Sequence, residues 1–253
     1  MTKISAVIIT KNEERNIGRC IHSLEGIADE IIVVDNDSTD KTVEIASGLG
    51  ARVMSNKFTG FGEQKHFAQS QASNEWILSV DADEEVSSNL KESILSIKEA
   101  PKFDAYRVNI LTNYCGKWIK HSGWYPSYKI RLWNRNKGSI SQDKVHEEWF
   151  LHDTHGQVGT LKGDLHHYSY NTISEHIRKI ELYSEIGALS DVEKGKHVSL
   201  LKLWFMPKWL FFSRFIFRGG FLDGYYGYLI CKSAAFYAYV KYAKTRQYSK
   251  MKL

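Results

Sequence analysis

The sequence is poor in cysteine, and the three it has, Cys20, Cys115 and Cys231, stand far apart with no C-x-x-C pair. That spacing gives neither a disulfide framework nor a zinc site and fits a reducing compartment. No G-x-G-x-x-G follows the first apolar run and no G-x-x-x-x-G-K-[ST] occurs, which argues against a dinucleotide dehydrogenase and a P-loop NTPase. Met1-Thr2-Lys3 leads straight into the strand-like Ile4–Ile9 with no cleavage region between, so no signal peptide is expected. Uninterrupted apolar stretches are missing too. Between Leu200 and Tyr242, Lys202, Lys208, Arg214, Arg218, Asp223 and Lys232 break every 18-residue window. A spanning helix would bury those charges at about 2.5–3.5 kcal/mol each near the bilayer centre, so spanning is not expected. Acidic residues are scarce in the same region: residues 196–253 hold 11 Lys/Arg against Asp223 alone. The net charge of +5 therefore divides into +10 for that tail and −5 for residues 1–195. No nucleic-acid recognition motif accompanies the basic tail, and no nucleic-acid partner is expected; its crowded aromatics suit an anionic membrane surface.

What is present is an alternation of strand and helix signals. Ile4–Ile9, Ile31–Val34, Arg52–Met54 and Trp76–Val80 are apolar runs of strand length. Helical spacing separates them: Ile17, Cys20, Ile21, Leu24 and Ile27 first, then Val43, Ala46 and Leu49 closed by Gly50, then residues 62–73. A 253-residue chain of this pattern is one large domain or a domain with an appendage, built on a parallel sheet with helices on both faces. Two strands end in carboxylates, Asp35/Asp37 and Asp81/Asp83, with Glu84 and Glu85 next to the latter. Neighbouring parallel strands bring such ends to one cleft. Clustered carboxylates repel one another, and Asp-x-Asp offers hard oxygens to Mg²⁺ or Mn²⁺ carrying a diphosphate; a solvated acidic turn is the alternative reading. Glu84 and Glu85 are expected to support the strand end or open the next helix.

Further along, Ser87 caps a helix carrying Leu90, Ile94 and Ile97, and Ala105–Ile110 alternates like a half-exposed strand. Tyr114, Trp118, Trp124 and Tyr125 stand among glycines between residues 112 and 127. They suit either a sugar-stacking loop or a cover for the sheet edge. Lys129–Trp133 is a strand whose Arg131 faces either a phosphate or solvent. Asn171–Lys194 is helical, and Leu203–Phe212 with Arg214 and Arg218 suits helices lying in a membrane interface; a packed helical subdomain or an oligomer contact is the alternative. Gly219–Gly224 fits a tight turn between helices.

Ser5–Glu13, Ile32–Asp40 and Leu78–Glu84, three strand-end motifs in order, resemble the N-terminal half of a family 2 glycosyltransferase. The resemblance covers residues 4–100 most strongly and implies a GT-A nucleotide-diphospho-sugar transferase fold, a Rossmann-like mostly parallel sheet. It implies a catalytic domain at residues 1–172 and a C-terminal amphipathic, membrane-associating helical region at 173–253. By the same resemblance Thr10, Asn12 and Asp35 lie along the base and ribose of a UDP-sugar donor, with Glu13, Asp37 and Ala82 of the same motifs on the donor site. Asp81 reaches ribose or metal, and Asp83 binds the Mg²⁺ or Mn²⁺. Lys65 is either a basic group near the nucleotide or a solvated helix lysine. His166, or its neighbour His167, completes the metal shell or plays a structural hydrogen-bonding role.

An inverting transferase needs a carboxylate to take the acceptor's proton. Glu147 in Val145-His146-Glu147 is the candidate, with Glu148 as the alternative, because the Glu-Asp pair usual in the family is absent. Val145–Glu147 and Gly220–Gly224 resemble a subgroup that adds glucose to the inner core of lipopolysaccharide. The expected protein is thus a peripheral enzyme on the cytoplasmic face of the bacterial inner membrane, moving a hexose from UDP-glucose to a lipid-linked heptose. Transfer to a polyprenyl-diphosphate-linked glycan or to a protein, or a non-catalytic sugar-nucleotide or lipid-binding scaffold, are the alternatives. The oligomeric state is not readable.

Overall fold

The computed structural model describes residues 1–141, 149–152 and 156–251, and it divides into two compact units. The first comprises Met1–Ile110 and Ser127–His167; the second comprises Leu111–Pro126 and Tyr168–Leu253. The first unit opens as the alternation predicts: β1 (Ile4–Thr10), α1 (Ile17–Ser23), β2 (Glu30–Asp35), α2 (Thr42–Gly48), β3 (Arg52–Ser55), α3 (Phe61–Ser70) and β4 (Trp76–Asp81). It continues with β5 (Glu84–Val86), α4 (Ser88–Glu99), and β6 (Ala105–Tyr114), which carries the chain into the second unit and its short β7 (Lys117–Ile119). Back in the first unit come β8 (Tyr128–Asn134), the small pair β9 (Gly138–Ile140) and β10 (Trp149–Leu151), and β11 (Val158–Tyr170). The strand order is β3-β2-β1-β4-β8-β6-β11-β5, with β7 beside β6. Pairings among β1, β2, β3 and β4 are parallel, whereas β8 runs antiparallel to β4 and β6, and β5 antiparallel to β11.

Strand periodicity builds both faces. Ile4, Ala6 and Ile8 of β1 enter a core with Ile17, Cys20 and Ile21 of α1, Ala46 of α2, and Leu90 and Ile94 of α4. Val7, one residue out of phase, joins Ile32, Val34 and Ile77 against Ala68 of α3 and Trp133. A one-residue slip would exchange these sets, so the apolar pattern fixes the register. Ser87 caps α4 as expected, its Oγ accepting from Leu90 N–H, and Gly50 sits at φ 80° just beyond α2. Gly163 of β11 (φ 90°) is sterically required: a Cβ there would lie 2.3 Å from the Leu90 nitrogen.

The second unit is helical. α5 (Ile173–Glu193) starts at Thr172, whose hydroxyl accepts from Glu175 N–H while the Glu175 carboxylate accepts from Asn171 N–H, closing a capping box one residue wide of its usual frame. α6 (Leu200–Phe212) holds Pro207 and runs into a π-helical turn at Ser213–Phe217; a 3₁₀ turn at Gly220–Asp223 then precedes α7 (Gly224–Met251). Gly219 and Gly224 both lie at φ 63°, the turn expected from their spacing. Asp223, the tail's one acid, is buried and accepts from the backbone N–H groups of Lys120 and His121 and from His121 Nδ1.

Leu111–Pro126 group with these helices, not with the sheet unit, and the unit boundary near Tyr168 falls before the expected 172/173 division. The reason is aromatic packing. Tyr114 is fully buried with Trp124, Tyr170, Tyr226 and His176 around its ring at centroid distances of 5.3–5.8 Å. Tyr114 is therefore a core ring, which removes it from any sugar-stacking loop, and Trp124 packs half-buried against it. Among the described residues no helix is long and apolar enough to cross a membrane.

Candidate active site

Thr10 of β1 lies opposite Asp35 of β2, and Ile9 lies opposite Asp81 of β4. The carboxyl ends of three adjacent strands therefore share one edge, where open α/β sheets receive ligands. The loops leaving β1 and β2 are tied together there. Asn12 N–H donates to Ser38 Oγ at 2.8 Å, and Asn12 Oδ1 accepts from Thr39 N–H at 2.8 Å. Ser38 in turn donates to the buried Asp35 carboxylate through its N–H at 2.9 Å and its hydroxyl at 2.5 Å. Asn12 (φ 54°) and Asp37 (φ 52°) both adopt left-handed backbone, which short polar residues tolerate best among non-glycines. Asp37 is exposed. Glu13 is engaged locally: its N–H donates to Thr42 Oγ1 and its carboxylate accepts from Asn16 Nδ2 at 2.7 Å, bracing the start of α1. Thr10 Oγ1 is buried with no hydrogen-bond partner among the described residues.

The end of β4 carries a buried charge cluster. Lys65 Nζ lies 3.0 Å from Asp81 Oδ1, and Arg131 Nη2 lies 2.9 Å from Asp81 Oδ2 and 2.5 Å from Glu84 Oε1. Asp81 N–H closes the group by donating to Glu84 Oε2 at 2.8 Å. Lys65 is 6 % and Arg131 5 % exposed, so neither is the solvated side chain the sequence left open. Antiparallel β8 sets Arg131 beside β4, and α3 brings Lys65 from the other side in sequence. Burial opposes ionisation of Asp81, but the Arg131 and Lys65 charges outweigh it and hold the carboxyl well below the usual range. Glu84 is pushed up by burial, which together with the Asp81 charge exceeds the pull of Arg131. The cluster is two cations against two carboxylates, and Glu84 supports the strand end as expected.

Asp83 stands in a different setting. Its side chain is 21 % exposed, and its Oδ2 lies 3.2 Å from His167 Nε2. Burial lowers the His167 pKa, but the Asp83 hydrogen bond and the charges of Asp83, Glu84 and Asp81 raise it overall. In the β11–β5 pairing His166 lies opposite Glu85 and His167 opposite Glu84. Successive strand residues face opposite ways, and this parity gives the place beside Asp83 to His167 instead of the expected His166. Asp81, expected to share the metal, has each carboxylate oxygen on a protein cation, which fits an orienting role better than a metal ligand. Ala82 between them is buried. Among the described residues no three His, Cys, Asp or Glu side chains converge as a metal cage. Glu147, Glu148 and His146 lie outside the described residues.

Sequence reasoning missed the Arg131 pairing and left the choice between His166 and His167 open. The alternation of Lys129, Arg131 and Trp133 placed Arg131 and Trp133 on one side of a strand, but only the sheet order shows which strand lies alongside.

Residues 5–158 match the model of the family described as glycosyl transferase family 2. An uncharacterized glycosyltransferase of Rickettsia typhi is 37 % identical, with 98 % of this chain and 88 % of that protein covered. The lipopolysaccharide core biosynthesis glycosyltransferase LpsC of Rhizobium meliloti is 34 % identical over 96 % of this chain and 92 % of its own. Among solved structures, glucosyl-3-phosphoglycerate synthase of Mycobacterium tuberculosis, in complex with Mn²⁺, UDP and glucosyl-3-phosphoglycerate, is 26 % identical. That likeness covers 46 % of this chain and 45 % of the other, with a TM-score of 0.37. With its parallel β-α half, strand-end Asp-x-Asp and full-length relatives, the chain belongs to glycosyl transferase family 2 and is a glycosyltransferase of GT-A fold.

Proposed function

We propose that this glycosyltransferase is an inverting, metal-dependent enzyme that moves glucose from UDP-glucose to a lipid-linked acceptor, an inner-core heptose of lipopolysaccharide. The observation that carries the reading is the unlike setting of two carboxylates two residues apart. Asp81 is neutralised by Lys65 and Arg131, while Asp83 is open beside His167. Asp83 and His167 offer an oxygen and a nitrogen acceptable to Mn²⁺, and phosphate oxygens and water would fill the other positions, as is usual where a metal accompanies a diphosphate. Such an ion, when bound, neutralises charge on the departing diphosphate. Thr10, Asn12 and Asp35 line the donor end; the orphaned Thr10 hydroxyl suits a polar atom of the base. Glu147 takes the proton of the acceptor hydroxyl as it attacks the anomeric carbon opposite the leaving nucleotide.

The acceptor class is supported by the name of the Rhizobium relative. Membrane contact is supported by α6, where Leu201, Phe205, Trp209 and Phe212 recur at helical spacing and are all exposed, with Lys202 and Lys208 on the same helix. This is the surface of a peripheral enzyme at the cytoplasmic face of the inner membrane. Transfer of labelled glucose to heptose-terminated core lipid tests the proposal. Asp83→Ala should lower transfer by on the order of 10²–10³-fold with the fold intact. Glu147→Gln should do likewise while retaining UDP-glucose affinity. Undiminished metal-dependent transfer by Asp83→Ala would overturn the assignment.

A further inference from the structure

The helical unit contains a cavity of about 460 Å³, the size of small-molecule sites. It lies among α5, the end of α6, and α7, with Trp124 contributing from the Leu111–Pro126 segment. Among the described residues three cations reach its wall, Lys179, Arg214 and Lys241, and no Asp or Glu does. Lys241 is already matched by Asp191 at 2.8 Å. Lys179 touches neutral groups: it donates to the Ser169 carbonyl at 3.0 Å and sits over the Tyr170 ring at 4.6 Å. Arg214 has no carboxylate partner among the described residues. Burial pulls its guanidinium below the ordinary arginine value, Cys231 opposes this in part, and the like charge of Arg218 adds a smaller pull. His176, also on the wall, adds no charge near neutral pH, because burial and then Lys179 lower its pKa to about 4.

Apart from Ser233, the rest of the wall is apolar or aromatic. Leu210, Ile230, Ala234 and Ala238 form aliphatic surface, and Tyr237 and Tyr242 add rings. A half-buried guanidinium without a counter-ion is costly, and a bound anion offsets that cost more effectively than a neutral group would. An aliphatic wall beside it favours an anion carried on an apolar chain. Leu210 and Arg214 belong to the helical run that also exposes Phe205, Trp209 and Phe212, so the cation and the lipid-compatible surface lie on one continuous segment.

We propose that this cavity binds the phosphate-bearing end of a lipid, the phosphate meeting Arg214 and the chain lying along Leu210, Ala234 and Ala238. The site rests on the reading of a lipid-linked acceptor and deepens it: the enzyme would grip the lipid phosphate apart from the sugar that reacts. The occupant is a lipid phosphate and not free phosphate, because the aliphatic wall would otherwise remain wet.

Isothermal titration of the full chain with dihexanoyl phosphatidic acid, below its micelle concentration, tests this. Saturable binding is expected, with dihexanoylglycerol and inorganic phosphate each weaker by about tenfold or more. Arg214→Gln should weaken phosphatidic acid by about tenfold, with Arg214→Lys recovering most of the loss. Ala234→Phe should block binding with every charge retained, and unchanged thermal unfolding should accompany each variant. Absence of saturable binding, equal binding of dihexanoylglycerol or of phosphate, or wild-type affinity in either Arg214→Gln or Ala234→Phe overturns the proposal. UDP-glucose titration of the same samples separates the two readings: nucleotide binding without lipid binding removes only the cavity assignment, and the reverse removes the proposed transferase chemistry while leaving the cavity.

Discussion

The sheet unit and the helical unit solve the problem of burial in different ways. The sheet unit buries branched aliphatic side chains on two faces of β-strands, and in the charge cluster at the end of β4 the carboxylates of Asp81 and Glu84 are matched in number by Lys65 and Arg131. The helical unit buries rings around Tyr114, leaves Arg214 without a carboxylate among the described residues, and keeps Trp204, Phe205, Trp209 and Phe212 exposed. Strand register places atoms closely, because one residue of slip turns every side chain over. A unit built that way can hold two carboxylates two residues apart with different partners, Asp81 between two cations and Asp83 beside His167. Helices packed through aromatic rings leave apolar area and charge over, and those surpluses suit a lipid phase.

The largest contrast should appear on removing one charge from each unit. Arg131→Met leaves Asp81 and Glu84 buried with Lys65 alone, and should cost about 3–5 kcal/mol in urea unfolding because an uncompensated buried carboxylate remains. Lys244→Met, whose Glu181 and Glu185 partners are open to water, should cost far less, since solvent replaces the lost partner. Equal losses would erase the distinction drawn between the units.

A smaller effect comes from pH. An unfolded histidine takes its proton near pH 6.5, while burial among the Tyr114 rings, and then Lys179, lower His176 to about 4. Between those values the unfolded chain binds the proton and the folded chain does not, so stability falls as pH drops. By pH 5 the loss should be roughly 2 kcal/mol. Calorimetry of wild type against His176→Asn at pH 7 and pH 5 checks it; an identical acid limb in both would assign that limb to the sheet unit's carboxylates.

Most of the sheet unit was legible in the sequence. Branched apolar runs of strand length, each ended by Asp or Thr, gave β1, β2 and β4 and the edge they share. Ser87 marked a helix start by its own hydroxyl. The cluster around Asp81 was half legible: Asp81 and Lys65 stood out, but Arg131 is 50 residues from Asp81, and its partner depends on β8 inserting antiparallel beside β4. The same sheet order decides between His166 and His167, which a period of two cannot do until the partner strand is known. In the helical unit Tyr114 and Trp124 read equally well as ligand-stacking or core rings, since aromatic side chains serve both purposes and only their neighbours tell them apart.

The smallest stability effect should come from the face of α6, and its smallness is the point. Trp204 and Phe205 are each 65 % exposed, so replacing both with Ser removes little buried area and should alter unfolding free energy by no more than about 0.5 kcal/mol per site. Leu78→Ala, which empties a fully enclosed place in the first core, should cost about 2–5 kcal/mol. The ranking should invert in co-sedimentation with anionic vesicles: the α6 double variant loses binding, whereas Leu78→Ala, under conditions where it stays folded, retains it. Both outcomes follow from one cause, because apolar area that water already touches contributes nothing to folding and remains available to a bilayer. If the double variant instead destabilised the chain as much as Leu78→Ala, α6 would be a packed helix whose rings face protein, and the comparison between the units would collapse at the element on which it chiefly depends.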